Sequence, residues 1–103
     1  MTNVRHVLIV DDSATARMFL ARTLQAAWPE AELTVTEAQH GRDALDKLKQ
    51  MPEPPDLIVS DQNMPVMNGL QFVQRIACSP RLHGIPVIVV TSSASPQLIA
   101  DLE

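Results

Sequence analysis

A chain of 103 residues with 12 acidic and 8 basic side chains carries a net charge of −4 with its histidines neutral, and has room for one domain around one core. An acidic balance argues against a nucleic-acid or anionic-membrane surface, because both ask for a basic face, and it favours cations or basic partners. Apolar residues at 46% and charged residues at 19% are those of an ordinary globular domain and exclude a disordered or fibrous chain.

Read in order, two kinds of segment alternate. HVLIV (6–10) is a continuous apolar run, as expected of a strand covered on both faces. Ala16, Phe19, Leu20, Leu24 and Ala27 then recur at helical spacing, with Ser13 or Asp12 as the cap. Pro29 ends that helix, since the residue before a proline is pushed out of the helical region. LTVTEA (33–38) reads as a second strand. The segment 40–51 opens on a glycine turn and continues as a helix with Ala44, Leu45, Leu48 and Met51 on one stripe. Three prolines in 51–55 make a loop.

DLIVS (56–60) is a third apolar strand, and 61–69 is a turn-rich loop. Leu70, Phe72, Val73 and Ile76 continue as a helix, and 79–84 is another loop. IPVIVV (85–90) is expected as a fourth buried strand, with Pro86 near its start, where a missing donor is tolerated. A hydroxyl-rich turn follows, and Ser95 with Pro96 opens one more helix. Strands alternating with helices imply an α/β fold, a doubly wound parallel sheet with helices on both faces. Right-handed crossovers put the carboxyl end of every strand on one edge.

Ligands of such sheets bind beyond those carboxyl ends. The residues found there are Asp11 and Asp12 after the first run, Glu37 at the second, Asp61, Gln62 and Asn63 after the third, and Thr91 and Ser92 after the fourth. One acid after a strand is ordinarily a cap or turn former, and Asp56 alone is read that way. Two adjacent acids, another acid after a different strand and a hydroxyl after a third make a different pattern. Clustered carboxylates stay ionised where a divalent cation sits among them. Oxygen donors without His or Cys suit Mg²⁺, or Mn²⁺, and not zinc.

VLIVDDSATAR, AQHGRDAL, PDLIVSDQNMPVMNGL and IPVIVVTSSAS together resemble the receiver domain of bacterial response regulators, in particular stand-alone chemotaxis-type regulators. The match spans nearly the whole chain in the family's order. It implies a flavodoxin-like sheet, here with four strands in the order 2-1-3-4, and a single receiver domain over residues 1–103. It implies Asp61 as the phosphoacceptor, Asp12 as a direct Mg²⁺ ligand and Asp11 as its neighbour acting partly through water. Asn63 matches a position that offers its backbone carbonyl to the metal. Thr91, with Ser92 beside it, matches the hydroxyl that turns inward to the phosphoryl group, and Met64, Pro65 and Gly69 match residues that shape the acceptor loop. The implied partners are a histidine kinase or phosphotransfer domain and a downstream signalling protein.

The family also has a fifth strand ending in a lysine, then a fifth helix. Lys47 and Lys49 are the only lysines and match neither. On that reading the domain is C-terminally incomplete and its fourth strand is an apolar edge, so self-association through that edge is expected. Two rivals remain. An aspartate-nucleophile phosphohydrolase of the haloacid-dehalogenase type wants Asp-x-Asp after the first strand, and Ser13 and Ala14 stand where that second acid is needed. A degenerate receiver would bind partners independently of phosphorylation.

The remaining residues are read plainly. Cys78 alone forms no internal disulfide, so a reducing cytoplasm is the expected location, and the start of the chain lacks the layout of a signal peptide. No apolar run approaches the ~18 residues that span a membrane. His6, His40 and His83 are expected on the surface, and Met18, Met51, Met64 and Met67 in packing.

Overall fold

A computed structural model describes residues 4–90 of the chain. Within them are β1 (His6–Val10), α1 (Ala14–Ala27), β2 (Thr34–Ala38), α2 (Gly41–Gln50), β3 (Leu57–Asp61), α3 (Gly69–Ala77) and β4 (Val87–Val90). All strand pairs are parallel and the sheet order is β2-β1-β3-β4, the doubly wound arrangement expected from the alternation.

The central strands are apolar throughout because both of their faces are covered. Side chains alternate across a strand. Leu8, Val10 and Ile58 therefore join Ala44, Leu48, Phe72 and Ile76 beneath α2 and α3. Val7, Ile9, Leu57 and Val59 turn the other way, towards Leu20, Leu24 and Trp28 on and just after α1. Full burial of Phe72 contributes on the order of 2 kcal/mol.

Local chemistry sets the helix ends. Ser13 Oγ accepts the Ala16 N–H at 3.3 Å and starts α1, and Trp28, just before Pro29, caps its end. The stripe that packs is Leu20, Ala21, Leu24 and Trp28, and Phe19, expected on that stripe, is 68% exposed. A shift of about one residue in the assumed phase accounts for the difference, since successive residues lie ~100° apart round a helix. His40, expected as a plain surface histidine, caps α2, its Nδ1 accepting the Asp43 N–H at 3.1 Å. Asp43 returns the bond from the Gln39 N–H at 3.0 Å, which holds its carboxyl below the usual range.

At the amino edge of the sheet, Asp56 Oδ2 accepts the Arg5 and His6 N–H groups at 2.9 and 3.0 Å. These bonds hold its carboxyl below the usual range. Asp56 thus satisfies the entry to β1, a firmer role than the turn former expected. Among the described residues the fourth strand is the edge that the resemblance implied, not the buried strand that its apolar run alone suggested. Among the described residues β4 pairs only with β3, its side chains are at best half-buried, and Ile88 is 49% exposed. An apolar run marks a strand without telling whether it lies inside the sheet or at its border.

Candidate functional site

The site is a product of sheet register. β1 and β3 are neighbours, and Val10 stands opposite Ser60. One step further along both strands are Asp11 and Asp61. The ladder continues past the strands, with Asp11 N–H bonded to the Ala38 carbonyl at 3.0 Å and Gln62 N–H to the Val90 carbonyl at 2.9 Å. Main-chain bonds to flanking strands therefore fix both backbones where the acids leave them.

Asp11, Asp12 and Asp61 each offer a carboxylate oxygen within 4.8 Å of the others. Asp11 and Asp61 are buried, and Asp12 lies exposed at the mouth. Asp11 Oδ1 accepts the Ser13 N–H at 2.9 Å, which turns the chain into α1. Burial pushes the Asp11 carboxyl above the usual range, and the nearby charges of Asp61 and Asp12 push it further, against the downward pull of the Ser13 bond. An acid held this way gains from a cation.

Glu37, counted at the rim from sequence, does not join the cluster. It lies within β2 opposite Ile9, and its Oε1 accepts from Arg17 Nε at 2.8 Å. Arg17 also donates from Nη1 to the Asp11 carbonyl at 2.6 Å. Its guanidinium therefore ties the peptide joining the two adjacent acids to the neighbouring strand. Sequence reasoning passed over Arg17, because the contact spans α1, the end of β1 and β2. The Lys47 ammonium adds a bond to the Glu37 carbonyl.

After Asp61 the chain makes a closed loop back to α3. Gly69 donates its N–H to the Gln62 carbonyl at 3.0 Å. A Cβ at Gly69 would stand 2.7 Å from the Asp61 carbonyl oxygen and 2.9 Å from Gln62 Cα. Only glycine permits that approach. Met64 is buried in the core beside α3 and anchors the loop, whereas Pro65 and Asn63 are exposed. Met67 N–H bonds to the Pro65 carbonyl at 2.7 Å across Val66, whose φ is +70°. That is a γ-turn centred on a β-branched residue, a backbone conformation such side chains disfavour. A reciprocal cap then opens α3, with the Gln71 N–H to Asn68 Oδ1 at 2.8 Å and the Asn68 N–H to Gln71 Oε1 at 3.0 Å. The spacing Asn-x-x-Gln was the available signal for it. Thr91 and Ser92 lie outside the described residues.

The donor set fits Mg²⁺. All three groups are carboxylates, with no His or Cys among them. Neighbouring oxygens on a six-coordinate ion bound at about 2.1 Å lie roughly 3 Å apart, so the carboxylates would draw together by up to about 2 Å or hold a water between them.

The model for the response regulator receiver domain matches residues 7–102. The chain is 37% identical over 86 residues to chemotaxis protein CheY1 of Helicobacter pylori, covering 84% of this chain and 66% of that one. It is 42% identical over 89 residues to a protein-glutamate methylesterase/protein-glutamine glutaminase of Geobacillus kaustophilus, covering 86% of this chain and 24% of that protein. Among solved structures, chemotaxis protein CheY4 of Vibrio cholerae superposes with a TM-score of 0.74 at 34% identity, over 96% of this chain and 78% of that one. The chain thus spans just under two thirds of CheY1 and about a quarter of the methylesterase.

Proposed function

The chain belongs to the response regulator receiver domain family, and from that premise we propose that it is a two-component switch that accepts a phosphoryl group on Asp61. The observation that carries this reading is the gathering of Asp11, Asp12 and Asp61 within 4.8 Å at the carboxyl end of adjacent strands. Asp61 is the nucleophile. As its carboxylate oxygen bonds to phosphorus, the P–N bond of a kinase or phosphotransfer-domain phosphohistidine breaks, and the leaving imidazole takes up a proton. An acyl phosphate remains.

Asp11, Asp12, Asp61 and the Asn63 carbonyl would hold Mg²⁺, which supplies charge neutralisation for the transferring group. Within the chain, Asp11 and Asp12 present negative charge that is quiet only when paired with a cation. Gly69 keeps the acceptor loop against the Asp61 backbone, and Met64 and Pro65 set the path of that loop. Thr91 and Ser92 take their proposed part, binding the phosphoryl oxygens, from the family resemblance. The new dianionic group then changes affinity for a downstream signalling protein. The chain itself turns over no external substrate, and it works in the cytoplasm. None of the described helices is long and apolar enough to cross a membrane.

The β4 edge, with Ile88 exposed, supports a further proposal of weak self-association, checked by sedimentation over a concentration series. For phosphoacceptance, the chain is incubated with Mg²⁺ and acetyl phosphate and its intact mass is read. One added phosphoryl group, absent in Asp61→Asn and absent with EDTA, is expected. No added mass in the unaltered chain would replace this reading with a phosphorylation-independent interaction module.

A further inference from the structure

The cations of this acidic chain are unevenly placed. Arg42, Lys49, Arg75 and Arg81, four of its eight lysines and arginines, line one cavity of about 280 Å³ between α2 and α3. Among the described residues, Asp46 is the one acid that lines it with them. Asp46 sits 3.7 Å from Arg42 on the same helix face, with both side chains more than half exposed. So weak a pair leaves the Arg42 charge open to another partner.

Arg81 has a different role in the same wall. It donates from Nη1 to the Leu48 carbonyl at 2.6 Å and from Nη2 to the Met51 carbonyl, closing the end of α2. Its charge remains at the cavity while its position is fixed. The other three cations are exposed at the rim. The cavity has an apolar part as well, formed by Leu45, Met67 and Leu82.

We propose that this cavity docks an acidic segment of a partner protein, which lays one apolar side chain between Leu45, Met67 and Leu82 while its flanking carboxylates meet Arg42, Lys49 and Arg75. The arrangement favours a peptide over a small anion. A small anion is held by convergent, buried donors, whereas these cations stand apart at an exposed rim, where each contributes little and several together steer a multivalent chain. An apolar floor inside a charged rim is the anatomy of a protein–protein contact. None of the three acids lines the cavity and docking there needs no phosphoryl transfer, so its success or failure is distinguishable from that of the function proposed above. Met67 nevertheless belongs to the acceptor loop, and the side chain of that residue is where a Cβ at Gly41 would strike, so an occupant touches a segment that also ends near Asp61.

The test uses the full chain and a fluorescein-labelled synthetic peptide with a central phenylalanine flanked by glutamates, read by fluorescence anisotropy at low salt. Amide shift perturbations should concentrate on α2, α3 and the 79–82 segment. The double variant Arg42→Glu/Arg75→Glu, whose side chains are exposed, should lose at least tenfold in affinity while still accepting phosphoryl from acetyl phosphate. Replacing the phenylalanine by serine should also weaken binding. Equal competition by inorganic phosphate, equal binding of the serine peptide, or undiminished binding by the double variant would each overturn the proposal.

Discussion

Asp11→Asn should make the metal-free protein more stable. The amide keeps an oxygen to accept the Ser13 N–H, now at 2.9 Å from Oδ1, so the turn into α1 survives. What disappears is a buried charge facing two others within 4.8 Å. Coulomb's law at that separation gives about 3.5 kcal/mol per pair at an effective dielectric of about 20, and about 0.9 kcal/mol in bulk water. The pair with buried Asp61 lies nearer the first figure and the pair with exposed Asp12 nearer the second. Allowing for relaxation and for the poorer acceptor, the net gain should be about 2 kcal/mol in EDTA at neutral pH, or roughly 8–16 °C in Tm for a domain of this size.

The pH dependence has a definite sign. Because folding raises the Asp11 pKa above its ordinary 3.8, the native state binds that proton more tightly, and stability falls as pH rises from 3.8 through the elevated value. The advantage of Asp11→Asn should therefore vanish at and below pH 3.8 and reach its full size above the folded pKa. Magnesium should reverse the order. A ligand at about 100 times its Kd stabilises by about 2.7 kcal/mol, and the unaltered chain gains this in full while the variant does not. Denaturant unfolding in EDTA and in excess Mg²⁺ measures both. An Asp11→Asn protein no more stable than its parent in EDTA, or one whose advantage survives Mg²⁺ undiminished, refutes the account of the acidic cluster.

Three other outcomes follow from local geometry. Gly69→Ala should cost about 1–2 kcal/mol and slow phosphorylation, because the added methyl meets the Asp61 carbonyl oxygen and Gln62 Cα, backbone atoms that cannot swing aside as the Gln62 side chain can; urea unfolding and the mass assay check each part. Val66→Gly should stabilise by up to about 2.5 kcal/mol, since release of the strain at φ +70°, ~1–3 kcal/mol, matches or exceeds the ~0.5–1 kcal/mol entropic cost of glycine; a lower Tm than the parent argues that the γ-turn is unstrained. Asp56→Ala should lose about 1–2 kcal/mol by leaving the Arg5 and His6 N–H groups to water. Since folding lowers the Asp56 pKa, that loss is present at neutral pH and shrinks as pH falls through the folded value, which thermal melts between neutral and acid pH will show.

Legibility in the sequence tracked the range of the interaction. HVLIV and DLIVS announce two-sided burial by composition alone, and both are covered as expected. The three aspartates follow from where those runs stop, because strand ends in a parallel sheet share an edge. Glu37 shows the limit of that logic: it belongs to a strand that extends one residue beyond it, and an arginine from α1 takes it. Phase along α1 was harder, since Phe19 and Trp28 compete as anchors and only packing against Val7 and Ile9 decides. The cationic cavity was out of reach, its residues coming from α2, α3 and the turns after Met64 and Ala77.

The sheet order has a consequence for biosynthesis. Of the four strands described, the first to be synthesised lies inside the sheet, and its residues 7–10 are wholly sealed from water in the finished fold. Its partner on one side ends at Ala38 and on the other at Asp61. Translation must proceed past both before VLIV has its neighbours, and until then the nascent chain carries that sticky tetrapeptide in the open, where a chaperone or a second ribosome's product can meet it first.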